Sequence, residues 1–419
     1  MPYDSLSSLA ENDDKTQDTA QTKTPTRVAK NAPDTVRFMV VSGFLGAGKT
    51  TTMIVLGEYM DAHAGERVDA STSASAGDVK CENQSEQIFH AGIIANDLGA
   101  NLVDTNLTQT SGCTVEEIAS GCICYQMDNT IDKIRRLKDR DGCGFVMSDI
   151  PGCGVGALDH VYQKLHAECD DWITLAPFTV IVDPERLRML LPEKADIHLP
   201  EELIYLMRLQ LEEADLIVLN KIDTLNDEEL ERDVAFLREA CPDVPVMCIS
   251  ALEKTGIAEL AEFISTHVSA CKNFSVRYDE KFTQAEQVLT WYNRRMFFKT
   301  LDGGKIDYNA VIDDLIENVR MGLIEKKRNV PHLKTFASAS GEEDFNKCSL
   351  IGVDYDIEHA HLFERSHEKM SMIINARAVC ESRPLARIMD DALDDVCEAY
   401  NLDVQVFFTE CFGMCDEGR

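Results

Sequence analysis

Residues Gly43 to Thr50 read G-F-L-G-A-G-K-T, a spacing of glycines before a lysine and a threonine that suits a loop wrapped around a phosphate chain. Gly43, Gly46, Ala47 and Gly48 supply backbone N–H groups that turn inward, Lys49 brings a point charge to the β and γ phosphates, and the Thr50 hydroxyl ligates Mg²⁺. Thr51 adds a further nucleotide contact at the start of the helix, whose N-terminal dipole favours the same anion. A second carboxylate motif, Asp149-Ile150-Pro151-Gly152, offers Asp149 to Mg²⁺ and the Gly152 N–H as a γ-phosphate sensor that moves on hydrolysis. Asn220-Lys221-Ile222-Asp223 reads the base. Guanine presents adjacent N–H donors that one carboxylate, Asp223, accepts together, whereas adenine has no such pair. Ser250-Ala251-Leu252 then places a backbone N–H within reach of the guanine O6.

These residues need strands and helices to position them, and the chain supplies both. Short apolar runs at Arg37 to Ser42, Ala91 to Ala95, Gly144 to Met147, Phe178 to Val182, Leu216 to Leu219 and Val244 to Ile249 alternate with longer amphipathic segments. That alternation predicts an α/β unit, a doubly wound and mostly parallel sheet with helices on both faces, over 36–270. A polar stretch over about 66–87 reads as a flexible insertion, and residues 1–35 as a disordered tail too poor in large apolar groups to offset ordering entropy. From 271 to 419 the pattern changes to a smaller α+β domain. Helices are expected near Lys281 to Thr300, Asn309 to Lys327 and Pro384 to Tyr400, with strands at His332 to Ala337, Cys348 to Tyr355, Met370 to Val379 and Asp403 to Thr409.

Composition narrows the partners. The 41 Lys and Arg residues against 73 Asp and Glu residues leave a formal charge of −32, which opposes binding to nucleic acid or to anionic membrane surfaces. No apolar run is long enough to span a bilayer, and no charged start followed by an apolar segment opens the chain. Fifteen cysteines without a secretory framework are expected to be reduced thiols in the cytoplasm.

The stretch Ser42 to Thr51, then Asn96-Asp97-Leu98-Gly99, then Glu117-Ile118-Ala119-Ser120-Gly121-Cys122-Ile123-Cys124, and finally Ala214 to Asp223 resembles the CobW/HypB/UreG family of P-loop GTPases. The resemblance implies a P-loop NTPase fold, slow GTP hydrolysis, and work as a metallochaperone or as a chaperone loading cobalamin and metal cofactors into enzymes. It also implies a GTP/GDP cycle, a client metallo- or corrinoid enzyme, and a nucleotide-dependent homodimer. Asp149 and Asp97 stand where the family usually has Glu, keeping the charge for Mg²⁺ on a shorter arm.

Cys122 and Cys124 lie two residues apart, which in extended chain puts both thiols on one side, where they can share Zn²⁺ or Co²⁺ as cargo. Members of the CobW branch carry a third cysteine immediately afterwards; this chain has Tyr125, so Cys113, Cys153, Glu117 and Asp97 are the candidate replacement ligands, against the alternative that the thiols simply pack as small apolar groups. His359, His361 and His367 are further candidates, read mainly as solvated residues of a polar loop, and Cys411 with Cys415 make half a site. The expected function is nucleotide-gated delivery of a metal ion or metal-containing cofactor. The rival is a regulatory GTPase chaperone that protects or reactivates a corrinoid enzyme without carrying metal. No glutamine in the switch segment orients the attacking water, so basal turnover is expected to be slow.

Overall fold

The computed structural model describes residues 35–68, 86–97, 113–119, 123–150, 154–190, 200–272, 282, 284, 287–339 and 344–413. Strand β1 (Val36–Gly43) enters the glycine loop and α1 (Lys49–Ala62) leaves it. A short antiparallel pair, β2 (Arg67–Val68) and β3 (Glu86–Gln87), flanks the core of the expected insertion, which lies outside the described residues, as does nearly all of the expected N-terminal tail. There follow β4 (Ala91–Asp97), β5 (Thr114–Ala119), α2 (Met127–Asp139), β6 (Phe145–Asp149), α3 (Gln163–Cys169), β7 (Ile173–Leu175), β8 (Thr179–Val182), α4 (Pro184–Arg188) and α5 (Glu201–Glu213). Strand β9 (Leu216–Leu219), α6 (Asp227–Ala240), β10 (Val246–Cys248) and α7 (Ile257–Thr266) complete the first unit.

Its eight strands run in the order β10-β9-β8-β1-β6-β4-β5, with β7 also on β1, and every pairing is parallel. Strands β1, β6, β8 and β9 are buried throughout, as strands covered by helices on both faces must be. Arg37 is the charged exception, and its Nη1 donates to the His267 carbonyl at 2.9 Å, just past the C-terminal end of α7. The first strand sits mid-sheet with later strands added on both sides. The glycine loop therefore emerges at the carboxyl ends, at the point where strand order reverses, which is where such sheets bind ligands.

The second unit is a six-stranded antiparallel sheet, β14-β13-β12-β15-β11-β16, backed by two helices. Its elements are β11 (Thr290–Thr300), α8 (Tyr308–Glu325), β12 (Asn329–Ala339), β13 (Phe345–Leu350), β14 (Glu358–His361), β15 (Lys369–Val379), α9 (Ser382–Ala399) and β16 (Leu402–Gly413). The helix expected over Lys281 to Thr300 is corrected here: Thr290–Thr300 is a strand held on both edges, by β15 and β16. Its Tyr292, Met296 and Phe298 bury on the core side at the period of a strand, a pattern that the intervening Arg294 and Arg295 obscure in the sequence. Strand β14, where a polar loop was expected, forms on sheet pairing with β13. The acidic positions Asp391, Asp394 and Asp395 of α9 face solvent, opposite a stripe of buried Leu385, Ile388, Met389, Ala392, Leu393 and Val396.

The two units meet at the nucleotide end of the parallel sheet. Leu203 and Leu206 of α5 pack with Phe282, Leu289, Trp291 and Phe412, with the Trp291 and Phe412 rings stacked at 5.8 Å. Above them the buried Arg186, from α4, donates to the Leu45 carbonyl of the glycine loop at 3.1 Å and to the Pro331 and Ile351 carbonyls of the second unit. One side chain thus ties the phosphate loop to the other sheet.

Candidate nucleotide site

The glycine loop turns as its spacing requires. Gly46 and Gly48 take φ of 80° and 91°, and Gly48 caps α1. A Cβ at Gly48 would stand 2.4 Å from Asn220 Nδ2, so this position is glycine for two independent reasons. Lys49 Nζ donates to the Gly43 and Phe44 carbonyls at 2.8 and 3.1 Å, which holds the ammonium across the mouth of the loop. Thr50 is buried at the helix start, and Thr51 is half-buried beside it.

Asp149 lies at the end of β6, opposite Val41 of β1, so its carboxylate is delivered next to the loop by strand register alone. It is buried, and Asn96 grips it twice: the Asn96 N–H donates to Asp149 Oδ1 at 3.2 Å, and Asn96 Nδ2 donates to the Asp149 carbonyl at 3.0 Å. Asn96 is a positioning residue that sequence reasoning placed only within a family motif. Thr50 and Asp149 are hard oxygen donors of the kind Mg²⁺ takes, and the fixed carboxylate beside the loop suits that ion.

The base-reading segments converge on Asn220. Its Nδ2 donates to the Ala47 carbonyl of the glycine loop at 2.9 Å, while its Oδ1 accepts from the Ala251 N–H at 3.0 Å. A single buried amide therefore joins three segments that are far apart in sequence. The Ala251 amide expected near the guanine O6 is engaged by this clamp. Asp223 is exposed and held by the Ser250 hydroxyl, which donates to Oδ1 at 2.5 Å and accepts from the Glu253 N–H at 3.0 Å. Lys221 adopts a left-handed φ of 62° and bonds both oxygens of Glu358 in β14, at 2.8 and 3.1 Å. Burial pulls its ammonium down, but Asp183, Glu358 and Glu185 together outweigh that and hold it above its usual range.

The switch side has a support the sequence did not advertise. Glu213, at the end of α5, is wholly buried and accepts from the Gly156 and Leu158 N–H groups at 2.9 and 2.7 Å, just past the expected switch. Gln210, one turn earlier, donates to the Gly154 carbonyl at 3.3 Å. Burial pushes the Glu213 carboxyl up to about 7, against the two amide bonds that favour its charged form. Because its pKa is raised on folding, its contribution to stability is complete in acid, is lost as pH rises toward about 7, and is constant above that. The unfolding free energy of the wild type relative to Glu213→Gln is expected to fall by on the order of 3 kcal/mol between about pH 4.5 and 7. Denaturant titrations of both proteins across that range measure it; a pH-independent difference would contradict the assignment.

Two of the cysteine candidates, Cys113 and Cys124, lie among the described residues. Cys124 is buried in a turn, and Cys113 packs against α1 with its sulfur 3.9 Å from the Ile54 carbonyl. Cys122, Cys153 and Gly152, together with the Asp97 side chain, lie outside the described residues. Tyr125 is 79% exposed. Of the three histidines only His367 is buried, and each has a partner. His361 stacks on Phe345 at 3.8 Å, buried His367 pairs with Asp344 at 2.6 Å, and His359 meets Cys348. Cys411 donates to the Ser382 carbonyl at 3.2 Å, and Cys415 is outside the described residues.

Residues 79–247 match the model for the nucleotide-binding domain of CobW/HypB/UreG. Over that stretch the chain is similar to the nucleotide-binding domain of that family. The matched stretch includes Asp149 and Asn220 to Asp223, and the glycine loop precedes it. Among solved structures, HypB from Helicobacter pylori in complex with nickel is 12% identical, over 58% of this chain and 93% of that one, with a TM-score of 0.37. Zn(II)-bound YjiA GTPase from E. coli is 14% identical, over 86% and 99%, with a TM-score of 0.32. The receptor FtsY from Elizabethkingia anophelis in complex with GDP is 14% identical, over 58% and 68%, with a TM-score of 0.34. The architecture of this chain rests on its own strand order. No helix among the described residues is long and apolar enough to cross a membrane.

One substitution probes the loop and its clamp together. Gly48→Ala demands a left-handed backbone from alanine and drives its methyl into Asn220, so it is expected to cost about 2 kcal/mol of stability and more than about tenfold in nucleotide affinity. Thermal unfolding with and without nucleotide checks both; wild-type affinity in this variant would show that Asn220 is not the clamp.

Proposed function

We propose that the protein is a Mg²⁺-dependent GTPase of slow basal rate that couples its nucleotide state to delivery of a metal ion or metal-containing cofactor to a client enzyme. The observation that supports it best is the Asn220 bridge, which joins phosphate loop, base-reading loop and the Ser250 loop at the carboxyl ends of a parallel sheet. In this reading the loop amides and Lys49 bind the phosphates, Asp223 selects guanine, and Thr50 and Asp149 would hold Mg²⁺, which supplies charge neutralisation at the β and γ oxygens. Gly152 follows the γ phosphate, and the segment behind it is anchored on Glu213 and Gln210, so loss of that phosphate is felt along α5.

Cys122 and Cys124, with Cys113, Cys153 or Asp97 in support, are the proposed cargo ligands for Zn²⁺ or Co²⁺. Phosphate release from the purified protein is expected at about 10⁻² per second or less, rising when client or metal is added. Tens of turnovers per second without partners would overturn the slow-switch reading. Anaerobic zinc titrations with GDP and with a non-hydrolysable GTP analogue are expected to give different affinities that Cys122→Ala/Cys124→Ala abolishes. Client docking with no such difference would favour a regulatory chaperone that carries no metal.

A further inference from the structure

We propose that Asp313, Cys348 and His359 form a binding site for a divalent transition metal of the zinc class in the second unit, separate from the Cys122 and Cys124 pair. The three donor atoms lie within 4.8 Å of one another, and among the described residues they are the one such group. Cys348 of β13 is paired directly with His359 of β14, so pleat and register put both side chains on the same face of the ribbon. Asp313 reaches the same point from α8.

The distances separate a metal site from a proton relay. Cys348 Sγ lies 3.2 Å from His359 Nδ1, and that same nitrogen lies 3.7 Å from Asp313 Oδ1. A relay that activates a thiol uses one ring nitrogen toward sulfur and the other toward the carboxylate. Here one nitrogen faces both, so three donors converge on a single point. Bonds of about 2.0 Å to nitrogen and oxygen and about 2.3 Å to sulfur imply tetrahedron edges of roughly 3.5 Å from sulfur to nitrogen and roughly 3.3 Å from nitrogen to oxygen, within about 0.4 Å of the separations seen. Thiolate, imidazole and carboxylate together are a zinc or cobalt donor set.

One further observation points to a cation. Asp313 Oδ1 is buried and makes no hydrogen bond, an uncommon state for a carboxylate oxygen. His359 is exposed, which gives an ion its way in.

The opposite face of the same ribbon touches the nucleotide end of the first unit. Lys347, adjacent to Cys348, contacts Thr51 Oγ1 at 3.3 Å, and Glu358, adjacent to His359, holds Lys221. Metal binding that clamps β13 to β14 is therefore linked to nucleotide binding, and the linkage is reciprocal. This linkage, unlike the site itself, rests on the proposed GTPase reading.

Co(II) titration of the anaerobic full-length protein carrying Cys122→Ala/Cys124→Ala, without nucleotide, tests the site alone. One equivalent is expected, with tetrahedral visible bands and thiolate-to-Co(II) charge transfer in the near ultraviolet. Cys348→Ser should remove the charge-transfer band, and His359→Ala, at an exposed position that leaves the circular dichroism unchanged, should weaken binding at least tenfold. No binding, or the same spectrum and affinity in both variants, overturns the site whatever the protein does with GTP. Repeating the titration with GDP and with a non-hydrolysable GTP analogue should shift Co(II) affinity at least fivefold; equal affinities overturn the linkage.

Discussion

Lys49→Ala is expected to lower GTP turnover by about 10² to 10³-fold, the usual cost of deleting one preorganised charge that meets a developing negative charge. The ammonium is already held across the loop mouth by the Gly43 and Phe44 carbonyls, so little reorganisation precedes its transfer to phosphate oxygens. The Gly43 carbonyl keeps the Gln210 side chain as a donor at 3.4 Å once the lysine is cut back, and the sheet beneath, from Val36 to Val41, is untouched. Wild-type circular dichroism with lost phosphate release is therefore the predicted pair of results. Retained turnover would remove Lys49 from the chemistry.

The second large effect falls on base choice. Asp223→Ala deletes two charge-assisted hydrogen bonds to guanine, each worth about 1.5 to 3 kcal/mol, so GTP affinity should drop by on the order of 10² to 10⁴-fold while ATP affinity stays as it was. Asp223 is exposed and its structural partner is the Ser250 hydroxyl alone among the bonds it makes here, so the fold should tolerate the change. Competition between the two nucleotides for the variant reads the outcome directly. A variant that still prefers GTP would place guanine recognition elsewhere in the loop.

The parts of this site legible in the sequence are those whose chemistry is local. A glycine loop needs its glycines at fixed spacing, and Phe38 to Val41 of β1 and the whole of β9 are continuous apolar runs, so both announce themselves within a few residues. What holds those parts in place is long-range and was not legible. Glu213 reads as one acid among many in α5 until its carboxylate is seen under Gly156 and Leu158, and Arg186 reads as a surface base until it is seen spanning two units. Strand β11 reads as helix in the sequence because Arg294 and Arg295 interrupt its alternation, yet Arg294 is buried against Asp390 and Thr409. Of the proposed metal ligands only His359 stands out in the sequence: Asp313 and Cys348 are 35 residues apart, and only the pairing of β13 with β14 sets the histidine opposite the thiol.

Calorimetric titration of the magnesium-supplied, full-length protein with GTP and separately with ATP tests the central claim most directly. The account predicts stoichiometric heat with GTP and affinity weaker by at least about 10²-fold for ATP. No heat with GTP, or equal affinity for the two, would contradict it.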